Sequence, residues 1–285
     1  MMKFSKYQGC GNDFIIINGL EQNLDGIDVF KLAEAVCDRH FGVGADGLLI
    51  VHKSEVADVR MQVINSDGSE PEMCGNGVRC FAAYLHDSGF TKKDVISVET
   101  GAGVKIADLI LRDNKVTAVE VDMGEPIIIA SMIPIRSESS RTFMRKEFVV
   151  ADRTFPITAV SMGNPHAVSF LDDIDFDFER YGAILEVDEH FPQKTNVEFC
   201  KIFSPDKVAV KVWERGAGAT LACGTGACAV VVAGNLEGKL TRNVRVGLPG
   251  GTLEVEWQDD NHVILRGPAL KVFEGELPVE LYRRS

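Results

Sequence analysis

Apolar residues recur at helical spacing in two stretches that begin in the same way. One runs from 74 to 85 and the other from 223 to 232, and each opens with a cysteine followed by Gly-x-Gly. The spacing predicts one buried helix just after Cys74 and another just after Cys223, and the glycines allow a close approach to the backbone. Because a helix start has unpaired N–H groups and a positive dipole end, it favours a thiolate or a bound carboxylate.

Strand-like patterns surround both predicted helices. Apolar runs at 15–17 and 48–51 have strand length, and helical spacing between them predicts a helix over 29–36. Alternating apolar positions predict half-buried strands that end at Asn65 in the first half and at 213–215 in the second. Each half is therefore predicted to be mostly β with one long buried helix.

The two halves align with one another. An offset of 149 pairs the two cysteine motifs and several other positions: Cys74 with Cys223, Gly75 with Gly224, Gly77 with Gly226, and Asn65 with Glu214. Matches in the same order at one offset indicate an internal duplication. We expect an α+β fold of two pseudo-symmetric domains, each a mostly antiparallel sheet or barrel wrapped around a central buried helix, with the active site in the cleft between them.

The domain boundaries follow from the turn residues. Gly124-Glu125-Pro126 is the predicted junction, which gives an N-terminal domain over 1–123, a C-terminal domain over 124–275 and a tail over 276–285. The tail is expected to complete the N-terminal domain.

Composition excludes several classes of protein. The 285 residues have a formal net charge of −12 and show no basic stripe, which argues against binding to nucleic acid or to a membrane surface. The first fourteen residues have no apolar signal-like run, so a cytoplasmic location is expected. The seven cysteines form no Cys-x-x-Cys pair, which argues against a disulfide framework and a metal site.

Two thiols that face one carbon form a symmetrical acid–base pair. One thiolate removes the proton and the other thiol returns a proton on the opposite face, which inverts the stereocentre without redox change. The helix N-termini would stabilise the charge that develops on a carboxylate. The plainer interpretation is that Cys74 and Cys223 are buried residues of core helices, but the duplication of the whole motif argues against it.

The motifs together resemble the diaminopimelate epimerase family. The resemblance rests on eight segments in order: Gly9–Phe14, Gly42–Gly47, Asn65–Ser69, Met73–Cys80, Met162–His166, Thr195–Phe199, Trp213–Gly218 and Ala222–Gly226. It implies a cofactor-independent isomerase that interconverts LL- and meso-2,6-diaminopimelate in lysine and peptidoglycan-precursor biosynthesis. It also implies a homodimer, and no cofactor or metal is expected.

The resemblance implies a role for each matching residue. Cys74 and Cys223 would be the catalytic pair, and His166 and Glu214 would modulate their pKa. The substrate would be bound by residues of both halves: Asn12, Asn65, Gly75, Asn76, Asn164, Asn196, Glu214, Arg215, Gly224 and Thr225. Some members carry Gln where this chain has Gly47, so a side-chain contact is missing there.

The sequence is also compatible with other interpretations. The asparagines also suit turns, and Glu214-Arg215 also suits a solvated ion pair. Proline racemase-like enzymes oppose two cysteines as well, but they need fewer groups for the distal end of the substrate. A phenazine-pathway-type isomerase lacks the two-cysteine pair, whereas a thiol–disulfide protein or a non-catalytic amino-acid-binding protein belongs to another class altogether.

Overall fold

The computed structural model describes residues 1–71, 74–137 and 141–278. Met73 of the first cysteine motif and the end of the predicted tail, 279–285, lie outside these residues. The chain divides into two units, Met1–Val121 with Gly267–Ser285 and Asp122–Arg266. The return to the first unit thus comes at Gly267, whereas the sequence suggested position 276.

The first unit begins with an alternation of strands and two helices. Its elements are β1 (Met2–Gly9), β2 (Asn12–Asn18), α1 (Val29–Cys37), β3 (Gly47–His52), β4 (Val59–Asn65), α2 (Gly75–Asp87), β5 (Val95–Thr100), β6 (Gly103–Arg112) and β7 (Lys115–Asp122).

The second unit repeats this alternation. Its elements are β8 (Lys146–Val150), β9 (Arg153–Ser161), β10 (Pro165–Phe170), α3 (Phe178–Glu186), β11 (Asn196–Ser204), β12 (Lys207–Glu214), β13 (Gly218–Thr220), α4 (Gly224–Leu236), β14 (Asn243–Leu248), β15 (Gly251–Trp257) and β16 (Val263–Gly267). The last strand, β17 (Leu270–Leu277), pairs with β1 and so completes the first unit.

Both units have the same order of strand pairings. The first runs β17-β1-β2-β3-β4-β5-β6-β7, with β2/β3 and β4/β5 parallel and the other pairs antiparallel. The second runs β8-β9-β10-β11-β12-β14-β15-β16, with β10/β11 and β12/β14 parallel. Parallel strands need a crossover, and each of these four pairs is connected through one of the helices α1 to α4. The predicted α+β fold with an internal duplication is confirmed.

The two central helices are enclosed by strands of their own unit. Helix α2 packs against β1, β2, β4, β6 and β17, and α4 packs against β9, β10, β11, β14 and β15. Every residue of α2 from Gly75 to Leu85 is buried, and in α4 the valines at 230, 231 and 232 are all 0% exposed. Burial of an aliphatic side chain of this size contributes about 1.5–3 kcal/mol, so packing rather than helix propensity holds these valine-rich turns helical.

The two shorter helices are also counterparts. Val29–Cys37 and Phe178–Glu186 both have nine residues, and they align at the offset of 149 found in the sequence. Each begins after an aspartate, Asp28 or Asp177, whose side chain accepts hydrogen bonds from the first turn. In the described part of the chain, no helix is long and apolar enough to cross a membrane.

Candidate active site

Cys74 is the N-cap residue of α2. Its backbone is extended (φ −138°, ψ 111°), and its Sγ accepts a hydrogen bond from the Gly77 N–H at 3.4 Å. An N-cap side chain normally offers oxygen to this N–H, so here the sulfur occupies the anion-stabilising position. Cys74 is partly exposed.

Cys223 has the same position on α4. Its backbone is again extended (φ −120°, ψ 116°), and its Sγ accepts from the Gly226 N–H at 3.4 Å. A Cβ at Gly226 would lie 2.7 Å from Glu198 Oε1 and 3.3 Å from Cys223 Sγ, so only glycine leaves room for the carboxylate and the sulfur at this helix mouth. Unlike Cys74, Cys223 is buried.

Asn12 and Asn76 lie beside Cys74. Asn12 Oδ1 is 3.8 Å from Cys74 Sγ and accepts from Asn76 Nδ2 at 3.1 Å. The amide oxygen of Asn12 therefore faces the sulfur as a hydrogen-bond acceptor for the thiol.

Charged groups fix the orientation of the side-chain amides of Asn12 and Asn76. Arg79 Nη2 donates to Asn76 Oδ1 at 2.8 Å, and at the other end Asn12 Nδ2 donates to Asp46 Oδ2 at 2.6 Å. An arginine only donates and an ionised carboxylate only accepts, so the orientation of both amides follows from the chemistry. Arg39 holds Asp46 in turn, with Nη2 2.7 Å from Asp46 Oδ1.

Asn65 has a different setting in the first unit. It ends β4, and its Nδ2 donates to Ser69 Oγ at 2.9 Å within the loop that leads towards Cys74. Gly47 pairs with it across the sheet, and a Cβ at Gly47 would lie 2.9 Å from the Ile64 carbonyl oxygen. The backbone therefore leaves little room for a side chain at 47 in this chain.

A chain of hydrogen bonds leads to Cys223 in the second unit. Thr225 Oγ1 lies 3.4 Å from Cys223 Sγ and accepts from Asn164 Nδ2 at 3.3 Å. Asn164 Oδ1 lies 3.0 Å from His166 Nε2, and His166 Nδ1 lies 2.7 Å from Glu198 Oε1. The side chains of His166 and Glu198 are both 0% exposed.

The direction of this chain determines where the protons lie. With the Asn164 amide donating to Thr225, its oxygen must accept from His166, so Nε2 carries a proton. Each link donates towards the sulfur, and the Thr225 hydroxyl is free to donate to a thiolate.

The electrostatics of Cys223 oppose its ionisation. Burial raises its pKa well above the ordinary value, and the carboxylates of Glu214 and Glu198 raise it further, while Thr225 and the Gly226 N–H lower it. Burial also raises the pKa of Glu214, against hydrogen bonds from Thr220 and Cys223. Burial thus opposes a negative charge on both the Cys223 thiol and the Glu214 carboxyl group.

Asn196 fixes the backbone on either side of the site in the second unit. Its Oδ1 accepts from the Arg215 N–H at 2.9 Å, and its Nδ2 donates to the Pro165 carbonyl at 2.9 Å. The Arg215 side chain is exposed, and its Nη1 donates to the Gln193 carbonyl at 3.1 Å. A guanidinium has five N–H donors, and this contact engages one of them.

Arg79 and Glu198 both stand in the motifs, but no role was predicted for either of them. The type of residue indicated that each has a partner, because a charged side chain inside an apolar helix or strand pattern needs one when it is buried. Arg79 and Glu198 are both 0% exposed. Among the described residues, no group of three or more His, Cys, Asp or Glu side chains is arranged to hold a metal ion.

Comparison with known proteins assigns the family. A family model described as Diaminopimelate epimerase matches residues 4–129 and 158–272. The chain belongs to the diaminopimelate epimerase family. The resemblance inferred from the motifs is thereby confirmed.

Similar members of the diaminopimelate epimerase family match the chain along nearly all of its length. The protein named diaminopimelate epimerase from Methanococcus maripaludis is 46% identical over 280 residues, which are 98% of this chain and 100% of the relative. That from Desulfovibrio desulfuricans is 49% identical over 282 residues, 96% of this chain and 98% of the relative.

Solved structures of lower identity share the fold. A Bacillus anthracis phenazine biosynthesis protein of the PhzF family superposes with a TM-score of 0.70 at 17% identity, covering 97% of this chain and 99% of that one. A hydroxyproline epimerase from Agrobacterium vitis gives 0.69 at 14% identity, covering 97% and 90%. The fold thus extends beyond the diaminopimelate epimerase family.

Proposed function

We propose that the protein is an isomerase that interconverts LL- and meso-2,6-diaminopimelate by two-base proton transfer between Cys74 and Cys223. The observation that carries the proposal is the duplicated N-cap: in each unit the sulfur accepts from the third N–H of a buried helix at 3.4 Å. Two thiols at equivalent helix N-cap positions suit a task in which one begins as base and the other as acid.

The first step is removal of the α-proton by one thiolate. The carbanion is stabilised through the adjacent carboxylate, which would be held by the backbone N–H groups at the helix starts: Gly75, Asn76, Gly224 and Thr225. The opposite thiol then delivers its proton to the other face. The same machinery in reverse returns the product to the substrate.

Side chains near each sulfur would adjust its ionisation. At Cys223, Glu214 provides a proton acceptor, and the chain from His166 through Asn164 and Thr225 ends in a donor to the thiolate. At Cys74, Asn12 provides an acceptor, which favours the thiol form. His166 and Glu214 thus act as pKa-modulating residues in this proposal.

The distal end of the substrate carries a second ammonium and a second carboxylate. Side chains away from the N-termini of α2 and α4 provide matching amide, carboxylate and guanidinium groups: Asn65, Asn164, Asn196, Glu214 and Arg215. An exposed guanidinium is suited to a carboxylate because it donates two parallel hydrogen bonds. This set favours diaminopimelate over the smaller proline.

We also propose a homodimer in the cytoplasm, acting in lysine and peptidoglycan-precursor biosynthesis. The first unit exposes three apolar side chains on one strand, Leu270 at 48%, Val272 at 53% and Phe273 at 44%. Sedimentation should give twice the monomer mass, and Phe273→Lys should shift it to the monomer. A monomer in the wild type would contradict the dimer.

Turnover of defined stereoisomers tests the enzymatic proposal. The reduced protein, with no cofactor added, should convert LL-diaminopimelate to the meso isomer. Cys74→Ala and Cys223→Ala should each lower the rate by at least about a thousandfold, since each removes an acid–base group. Racemisation of proline in place of this reaction, or retention of activity in either variant, would contradict the proposal.

A further inference from the structure

The Glu214-Arg215 segment is held by a carboxylate from outside all the recognised motifs. Glu186, the last residue of α3, accepts from Trp213 Nε1 at 2.8 Å through Oε2 and from the Gly216 N–H at 3.1 Å through Oε1. One buried carboxylate thus binds the chain on both sides of Glu214 and Arg215.

The helix that carries Glu186 is packed tightly against this strand. A Cβ at Gly182 would lie 2.6 Å from the Trp213 Cβ, so α3 approaches β12 as closely as a glycine permits. The Trp213 side chain therefore lies directly against α3, and its Nε1 donates to the carboxylate of the residue that ends this helix.

Glu186 is ionised in this setting. Burial acts to raise its pKa, but hydrogen bonds from Trp213 and Gly216 and the ammonium of Lys194, 3.3 Å away, outweigh it and bring the pKa below its ordinary value. A carboxylate that accepts two N–H donors makes charge-assisted hydrogen bonds, which are stronger than neutral ones.

The internal duplication indicates whether the carboxylate of Glu186 serves the fold or the site. The offset that aligns α3 with α1 places Glu186 on Cys37, a buried thiol whose pKa burial raises to about 12 and which is therefore neutral. The same offset places Arg215 on Ser66. The fold itself does not need a carboxylate at this place, and only the unit that carries the arginine has one.

We propose that Glu186 is a positioning residue that sets the Glu214–Gly216 segment and thereby aims Arg215 at the distal carboxylate of the substrate. The inference rests on the proposed function for the identity of the substrate. Asn196 holds the Arg215 N–H and Glu186 holds the residues on either side, so the guanidinium projects from a backbone that is fixed before the substrate binds. Fixing the segment in advance lowers the entropic cost of binding.

The test compares Glu186→Gln with Glu179→Gln, a matched change on the exposed face of the same helix. In Glu186→Gln one of the two donors, Trp213 Nε1 or the Gly216 N–H, meets an amide N–H₂ group instead of a carboxylate oxygen. We expect KM for LL-diaminopimelate to rise about tenfold with kcat within about threefold, because the lost interaction is one of binding. Glu179→Gln should leave both parameters unchanged.

Amide hydrogen exchange provides a readout that does not depend on activity. Exchange at Gly216 should accelerate about tenfold in Glu186→Gln and not in Glu179→Gln, since the charge-assisted hydrogen bond to this N–H is lost or weakened. Trp213→Phe keeps an aromatic ring beside Gly182 but removes the indole N–H together with part of the ring. It should change KM and exchange in the same direction, and it serves if Glu186→Gln does not fold.

Several results would overturn the inference. A KM within twofold of wild type in Glu186→Gln, whether or not exchange accelerates, would show that Arg215 is positioned without Glu186. A fall in kcat at unchanged KM would place Glu186 in the chemistry instead. If the wild type does not turn over diaminopimelate, the proposed function fails, and the exchange result alone decides whether Glu186 holds the segment.

Discussion

Replacement of Thr225 by valine isolates the last link of the hydrogen-bond chain at Cys223. Valine has the shape of threonine and the same β-branch, so the start of α4 is retained while the hydroxyl 3.4 Å from Cys223 Sγ is lost. No ionisable group changes. The thiolate loses one donor and keeps the Gly226 N–H.

The magnitude follows from the value of a hydrogen bond to a charged group. Such a bond contributes about 1.5–3 kcal/mol, and the lower end applies here because the second donor remains. One pKa unit corresponds to about 1.4 kcal/mol, so the pKa of Cys223, already raised by burial, should rise by about one further unit. The fraction of thiolate at a given pH below the pKa should fall about tenfold.

Alkylation resolved by peptide mass spectrometry measures this fraction. Between pH 7.5 and 9, Cys223 in Thr225→Val should react about three- to tenfold more slowly than in wild type, since a thiolate of higher pKa is also more nucleophilic. Cys74 in the same sample serves as the internal reference, and Thr225→Ser should restore the wild-type rate. An unchanged or faster reaction of Cys223 in the valine variant would refute the proposed donor.

Three further predictions concern buried ionisable groups. Glu198→Gln removes a carboxylate that raises the pKa of Cys223, so that pKa should fall and alkylation accelerate; slower alkylation would contradict the assigned sign. Burial raises the pKa of Cys200 above 9.0, so the folded protein keeps this proton when the unfolded chain loses it, and stability should fall as pH rises above about 9. Urea unfolding across pH 8–10 should show a shallower decline in Cys200→Ala, and an equal slope would count against the shift. Arg79→Lys keeps the buried charge but loses the forked guanidinium that binds Asn76 and the Gly75 carbonyl. The free energy of unfolding should therefore drop by about 2–3 kcal/mol. A drop below about 0.5 kcal/mol would show that the guanidinium is dispensable.

The central helices and the duplication were predictable because their signals are local. The periodicity after Cys74 and Cys223 marks helices that are apolar on most sides, and the glycines mark their starts. The offset of 149 then relates the two units, whose strand pairings have the same order. Local pattern and global fold agree in these segments, as expected for a foldable sequence.

Helix α3 was not predicted, although its counterpart α1 was. It has only nine residues, follows an acidic segment and contains Gly182, which weakens the helical signal. The glycine is required by the close approach of Trp213, a contact between residues about thirty positions apart that no local pattern reveals. Glu186, which ends this helix, was missed for the same reason.

The hydrogen-bond partners of the site residues were equally hidden from the sequence. Asn12 meets Asn76 and Asp46 from separate segments, and His166 meets Glu198 across the parallel pair β10/β11. The side-chain type indicates that a buried polar group needs a partner, but the register of the sheet decides which one it finds. The roles assigned to these residues remain predictions.

The position of deuterium in the first product tests the two-base account most directly. Wild-type protein in D₂O is given protiated LL-diaminopimelate and stopped after a small fraction has reacted. If one thiol removes the proton and the other delivers one, the meso product carries deuterium at the inverted carbon from the first turnover, while the remaining LL substrate stays protiated. Early meso product that retains protium at that carbon would mean that a single group removes and returns the same proton, and the account would be wrong.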